Sequence, residues 1–376
     1  MADVAVKACQ GYDQPDLGRA VAQAVELCGG MGRFVRPGQN VLLKPNLLGA
    51  YEPDRRVTTD PAVVVAVGRL VLDHGGRPII GDSPAIDPFG RAAAKAGLAQ
   101  AARQLEAPLV ELLEPTPTPT PPTAIRRRLD LARAAVQADV IINLPKLKTH
   151  CMMLLTMGVK NLFGAVVAQR KSEWHLAVGQ SRLAFADLLL DIQQTLRPAL
   201  TILDGVWAME GRGPSNGAPR RTGFIAASAD ALALDVAVCP LLGVEPGRYP
   251  IFQAAVARGL IDPAQPPRLL GDDPALVATR DFQTPELEPT TMLPPLLARL
   301  LGRRLIARPV QEPGLCRACG KCAAICPAGC LRLEGRRASF DHDRCIRCYC
   351  CHEVCPVGAI TFKRGLVAGL LERLGR

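Results

Sequence analysis

The chain has 376 residues, too many for one small domain and suited to one large domain with a small companion. Hydrophobic residues make up 48% and aromatics only 4%, so the core is expected to be built from Ala, Val, Leu and Ile; 33 prolines and 34 glycines mean many turns but exclude a disordered composition. The formal net charge is +10, and residues 301–376 hold fourteen Lys and Arg against six Asp and Glu, so most of the excess lies in the last fifth of the chain.

Over about the first 280 residues, short β-rich runs alternate with Ala/Leu-rich helical runs. Val4–Ala8 predicts a strand and Leu17–Leu27 a helix. Val41–Leu43 is a strand, and Pro61–Asp73 a helix with proline near its start. Pro78–Ile80 is a strand running into Gly81-Asp82-Ser83-Pro84, followed by one helix over Phe89–Leu105 and a strand at Leu109–Leu112. Pro115–Pro122 reads as an extended surface connection, since its prolines exclude a helix. Val140–Ile142, Leu200–Leu203 and Phe224–Ala226 are further strands; Ala229–Leu242 and Ile251–Leu260 are helices. The alternation predicts an α/β fold, a mostly parallel sheet with helices on both faces.

Pro285–Pro295 is proline-rich and marks a boundary. The expected organisation is an α/β domain at 1–290, a linker helix at 291–310, a small α+β domain at 311–362 and a basic amphipathic tail at 363–376. The linker is read from Leu296–Arg308, with leucines at helical spacing among arginines. The tail is read from a similar stretch, Phe362–Arg376. Asp230 and Asp235 interrupt the most apolar stretch, 224–244, so no spanning helix is expected. The start Met1-Ala2-Asp3-Val4 lacks the pattern of a signal peptide, and a cytoplasmic location is expected.

Fourteen cysteines are present, eight of them in two runs of one spacing. The first is Cys316-x2-Cys319-x2-Cys322-x3-Cys326-Pro327. The second is Cys345-x2-Cys348-x2-Cys351-x3-Cys355-Pro356. This duplicated pattern is the signature of a bacterial two-cluster ferredoxin. Three thiolates on one tight loop cap three irons of a cube, and the fourth thiolate comes from the other run. One [4Fe–4S] cluster is therefore expected on Cys316, Cys319, Cys322 and Cys355, and a second on Cys345, Cys348, Cys351 and Cys326. Zinc is the competing reading, but structural zinc sites use two separated Cys pairs, and the third Cys followed by Cys-Pro does not fit that plan. Each oxidised cluster with its thiolates carries about −2, which offsets roughly half of the local positive excess. Cys330 and Cys350 fall outside the pattern. Cys9, Cys28 and Cys239 read as small buried hydrophobes.

Polar residues in the α/β part collect where strands end. The segments are VLLKPNLL (41–48), GDSP (81–84), IINLPKLKTH (141–150) and GVKNLFG (158–164). Ligands of open α/β sheets bind at the carboxyl ends of the strands. Lys44, Lys146, Lys148 and Lys160, with His150, are thus candidates for one crevice, where several lysines favour an anion such as a carboxylate or phosphate. Asp82, Asp204 and Glu210 are candidates of opposite sign. Cys151, beside Lys148 and His150, is expected to have a lowered pKa and to be a redox candidate. Neither a dinucleotide fingerprint nor a P-loop appears; the Gly-rich stretch 211–217 has its last glycine one residue late and Pro214 inside.

KPNLL, GDSP, NLPKLKTH, GVKNLFG and DGVWAMEGRGP, in this order and followed by the doubled cysteine run, resemble the DUF362 family of iron–sulfur proteins. The resemblance covers nearly the whole chain. It implies that Lys44, Asn46, Asp82, Lys146, Lys148, Thr149, His150, Lys160, Asn161, Asp204, Glu210 and Gly211 share one functional surface, without naming what that surface binds.

Two functions follow. In one, an oxidoreductase, the clusters exchange electrons with a substrate in the α/β crevice. In the other, a carrier or adaptor, the large domain docks a redox partner protein. Some 55 residues suffice for two clusters, so the size of the α/β part favours the enzyme. Nucleic acid is not expected, because the basic region nearly lacks aromatics for stacking. Membrane-surface contact through the two basic stretches is the minor alternative.

Overall fold

The computed structural model describes residues 2–13, 15–287, 307–335 and 337–363. In the large unit the strands are β1 (Val4–Ala8), β2 (Asn40–Pro45), β3 (Arg77–Asp82), β4 (Leu109–Glu111), β5 (Pro115–Pro119), β6 (Arg128–Ala132), β7 (Val140–Leu144), β8 (Lys146–His150), β9 (Leu154–Thr156), β10 (Leu200–Glu210), β11 (Ala218–Ser228) and β12 (Leu269–Gly271). The α-helices there are α1 (Asp16–Leu27), α2 (Pro61–Asp73), α3 (Phe89–Lys95), α4 (Leu98–Gln104), α5 (Arg133–Val136), α6 (Gly158–Asn161), α7 (Ala168–Val178), α8 (Arg182–Leu196), α9 (Ala231–Leu241) and α10 (Pro250–Ala257).

Ten strands form one sheet in the order β12–β1–β11–β10–β7–β2–β3–β4, with β8 paired to β10 and β9 to β8. The pairs from β10 through β7, β2 and β3 to β4 are parallel, and β11 is antiparallel to both β1 and β10. Alternate strand residues divide between the two faces, as the period of two requires. Ala5, Ile202, Ile225 and Ala227 pack with α1–α4, whereas Val4, Val6, Leu203, Phe224 and Ala226 pack with α8–α10. The mostly parallel sheet with helices on both faces is therefore what the chain forms.

Local chemistry explains several boundaries. Asp60 caps α2 by accepting from the Ala62 amide at 3.0 Å, and Pro61 supplies its first residue. The single helix expected over Phe89–Leu105 is two, because Gly97 adopts a left-handed φ of +78° and reverses the chain against Pro61. Residues 115–119 are a strand, not a bare connection, paired antiparallel with β6. Pro115, Pro117 and Pro119 alternate with Thr116 and Thr118, so the residues without N–H face away while the threonines bond the partner.

The small unit pairs β13 (Arg308–Gln311) with β16 (Ile360–Lys363) and β14 (Leu331–Glu334) with β15 (Arg337–Phe340). Two one-turn helices, α11 (Lys321–Ala324) and α12 (Cys350–Glu353), carry Cys322, Cys350 and Cys351. Arg308, expected at the end of the linker helix, opens β13, and Phe362 and Lys363, expected in the tail, close β16. The rest of the linker helix up to residue 306 and the tail from residue 364 lie outside the described residues. Among the described residues no helix is long and apolar enough to cross a membrane.

Candidate functional site

The two cysteine runs fold alike. Each loop passes through left-handed residues at matching places: Ala318 and Gly320 in the first, Arg347 and Tyr349 in the second. Three of these four are not glycine, and such a conformation persists only where the surroundings fix it. The wrapped loops bring Cys345, Cys348 and Cys351 together with Cys326 of the other run, around a cavity of about 340 Å3 whose other walls include Pro309, Leu331, Phe340 and Ile346. Cys322 lies in one packed group with Cys316 and Cys326 of its own run and Cys351 and Cys355 of the other. Convergent thiols in an apolar shell are the donor set that a [4Fe–4S] cluster requires. Backbone amides add donors to sulfur, from Ala359 to Cys355 at 3.2 Å and from Ala318 to Cys316 at 3.5 Å. Cys330 and Cys350, outside the spacing pattern, also line the cavity, and the Cys330 sulfur lies 3.4 Å from that of Cys326.

A second cavity, a crevice of about 760 Å3, lies between the strand ends and the small unit. Its α/β wall holds Asn46 just after β2, Asp82 and Ser83 at the end of β3, Lys148 on β8 and Thr156 on β9. Lys160 and Asn161 of α6 follow, with Lys171 and His175 of α7. The opposite wall is Ile325, Cys350, Glu353 and Val354. The parallel pairing of β2, β3 and β7 sends their carboxyl ends to one side, and three asparagines tie the ends of β2 and β7 to α6. Asn46 donates to Asn161 at 2.9 Å, Asn161 donates to Asn143 at 2.8 Å, and Asn143 donates to the Gly158 carbonyl at 2.9 Å.

The lysines separate into two kinds. Lys44 is buried and donates to Asp82 at 2.9 Å; Asp82 also accepts from the amides of Ser83 and Leu47. Lys146 lies outside the crevice. It donates to Asp204 at 2.8 Å and to the Tyr12 hydroxyl at 2.7 Å, while Asp204 accepts from Tyr12 and from the Asp60 amide. Lys148, by contrast, donates to the Asn46 side chain at 2.8 Å and the Val57 carbonyl at 2.6 Å, with no carboxylate in contact among the described residues. Burial, then the Lys160 charge, push its ammonium down to about 7. Lys171 donates to the Ser83 carbonyl, and burial pushes it down to about 8.

His150 is buried behind the crevice wall. Its Nδ1 accepts from the Met152 and Met153 amides at 3.1 and 3.2 Å, and its Nε2 lies 2.8 Å from a Glu353 carboxylate oxygen. Burial lowers its pKa to about 4, so the ring is neutral near pH 7 and its proton sits on Nε2, close to Glu353 but without hydrogen-bond geometry among the described residues. Burial works against ionisation of Glu353, but the facing His150 and Lys160 outweigh it and hold the carboxyl far below its usual range. Cys151 departs from expectation: burial, with Glu353 adding to it, pushes its thiol well above the ordinary value. Donor atoms of His150, Cys151 and Glu353 lie within 4.8 Å of one another. A metal at Nε2 would need that proton removed while Nδ1 still faces two N–H donors, so this trio is a poor metal site.

The remaining candidates serve the junction between the units. The Thr149 hydroxyl donates to the Gly211 carbonyl at 3.1 Å and accepts from the Gly213 amide at 3.2 Å. A Cβ on Gly213 would lie 2.2 Å from the Thr149 carbonyl oxygen, so only glycine permits this approach. The loop then reaches the small unit: Ser215 donates to the Glu353 carbonyl at 2.6 Å, Asn216 to that of Cys355 at 3.0 Å, and Arg212 to that of Gly358 at 3.2 Å. The Gly-rich stretch thus approaches the ferredoxin backbone. Glu210 accepts from the Gln283 amide at 3.0 Å, away from the crevice.

Sequence reasoning missed Ser83, Thr156, Lys171, His175 and Glu353 as crevice residues. Lys171 and His175 stand four apart, the spacing that puts two side chains on one helix face, and that signal was available. Gly164 shows how closely the site is packed, since a Cβ there would lie 2.2 Å from Asp82 and 2.4 Å from Lys44. Gly164→Ala is expected to destabilise the fold by about 1–3 kcal/mol by forcing that ion pair apart, read by chemical denaturation.

Comparison with known proteins agrees with this construction. Residues 315–359 match the 4Fe-4S dicluster domain, and residues 41–240 match DUF362, a domain of unknown function. The chain is an iron–sulfur protein of the electron-transfer class. It belongs to the DUF362 family. A thylakoid-associated protein of Synechocystis sp. is 37% identical over 305 residues, 81% of this chain and 94% of that one. The pyruvate synthase subunit PorD of Methanothermobacter marburgensis is 37% identical over 57 residues, 15% of this chain and 67% of that one. NADH-quinone oxidoreductase subunit I of Pelobacter propionicus is 30% identical over 76 residues, 17% of this chain and 41% of that one.

Proposed function

We propose that this protein is an oxidoreductase in which two [4Fe–4S] clusters exchange electrons with a small molecule held in the crevice. The observation that carries this reading is the double lining of that crevice. One wall supplies Lys148, Lys160 and Lys171, and the other supplies Ile325, Cys350, Glu353 and Val354, residues interleaved with the cysteines. Bound clusters supply one-electron transfer. Cys316, Cys319, Cys322 and Cys355 hold one, and Cys345, Cys348, Cys351 and Cys326 hold the other, which stands beside the crevice. Cys319 is exposed, and Leu315 near it is 48% exposed. This gives the first cluster an outward side for a redox partner protein. The α/β residues bind and orient: Asn46 and Asn161 fix the floor, and Glu353, beside the neutral His150, closes the far wall. The thiols are all unpaired, which suits a reducing, cytoplasmic compartment.

The test is an inventory of iron, sulfide and bound small molecules after purification without oxygen. A stoichiometric small molecule that reoxidises the dithionite-reduced clusters is the expected result. Clusters that exchange electrons only with another protein, with no small molecule retained, would make the chain a carrier instead.

A further inference from the structure

We infer that the crevice takes a small dianion, a phosphate monoester or a dicarboxylate, set against the ammonium groups of Lys148, Lys160 and Lys171. The inference rests on the crevice being a substrate pocket and names the class of substrate. Two other buried lysines of this region show what an internally balanced site looks like, for Lys44 has Asp82 and Lys146 has Asp204. Among the described residues no carboxylate stands within salt-bridge distance of Lys148, Lys160 or Lys171. Asp82 is already matched by Lys44, which leaves Glu353, with Glu111 toward Lys171, to oppose the three among the described residues. With the three lysines protonated the cluster keeps a net positive charge for a ligand to neutralise, and buried charge is stable only when matched.

Unpartnered polar atoms point to the same place. The Ser83 hydroxyl, the Thr156 hydroxyl and the His175 Nδ1 are buried without a hydrogen-bond partner among the described residues, and all three residues line the crevice. Their residues are 3%, 3% and 6% exposed. Groups so buried are normally satisfied, and two hydroxyls among ammonium groups suit the terminal oxygens of an anion.

Protonation offers an independent readout. Lys148 faces Lys160 and Lys146, which lower it, and Glu353 and Asp82, which raise it. Lys171 faces Asp82 and Glu111, which raise it, and Lys44 and Lys160, which lower it. Both are partly neutral at pH 8, and an arriving dianion favours their charged forms, so binding takes up protons.

Isothermal titration of the iron-loaded full chain at pH 8, in two buffers of different ionisation enthalpy, tests this with inorganic phosphate, succinate and acetate. One dianion is expected to bind one to one with proton uptake, and acetate more weakly by about tenfold or more, the loss of one charge-assisted contact. Tight phosphate points to a phosphate monoester, and tight succinate to a dicarboxylate. Lys171→Gln is expected to weaken binding by about tenfold or more with the cluster absorbance unchanged, and Lys171→Arg to restore it. Acetate binding as tightly as both dianions, dianion binding unaffected by Lys148→Gln and Lys171→Gln, or no binding at millimolar concentration overturns the inference. Dianion binding without any redox role would sink the oxidoreductase reading alone. Reoxidation of the clusters by an uncharged molecule would sink the dianion alone.

Discussion

Cys351→Ser and Cys326→Ser each remove the same cluster, taking bound iron from about eight to about four atoms per chain. The two residues belong to different runs, so shared loss is not what sequence proximity suggests. It follows from the cavity that Cys326 shares with Cys345, Cys348 and Cys351. Cys355→Ser is expected to match Cys316→Ser instead, because the doubled spacing sends the fourth thiolate of each run to the cluster of the other. EPR of the reduced variants reads which signal survives. A Cys326 variant that loses the same signal as a Cys322 variant would mean that each run builds its own cluster, against this assignment.

Asp204→Ala is expected to cost about 3–5 kcal/mol of stability, because it strands a buried cation. Lys146 and Asp204 are both fully buried, 2.8 Å apart, and Tyr12 and the Asp60 amide complete the network. Removing the carboxylate leaves Lys146 charged without a partner, or neutral at a cost of similar size. The double variant Lys146→Met with Asp204→Leu removes both charges and is expected to recover most of the loss. Denaturant unfolding of the three proteins checks this. A double variant no more stable than Asp204→Ala would show that the network matters through something other than charge pairing.

Lys146 also shows where reading the sequence runs out. It stands two residues from Lys148 with similar neighbours, and both were candidates for the crevice. What separates them is distant: Asp204, 58 residues along the chain, folds against Lys146 and none of the described carboxylates folds against Lys148. Lys44 is decided the same way by Asp82, 38 residues away. The cluster cysteines were legible because their spacing is local, two residues within a loop. Lys160 and Asp82 were legible because strand ends beside Pro and Gly carry the ligands of such sheets, whereas Asn46 and Asn161 came only with the family resemblance. Strand β8 was not, since Lys-Leu-Lys-Thr-His is poor strand composition that only burial against β10 turns into one. Glu353 was hidden because its role depends on the small unit docking through Ser215 and Asn216, which no spacing reveals.

The proposed function requires electrons to pass between the cluster beside α12 and the crevice. Reduced, iron-loaded protein mixed without oxygen with the small molecule recovered from it, then frozen at intervals for EPR, tests this directly. The predicted result is that the cluster missing from Cys351→Ser is reoxidised first, and that Lys148→Gln, with both clusters intact, stops the reoxidation. Reoxidation of both clusters at one rate, the same in wild type and Lys148→Gln, would contradict it.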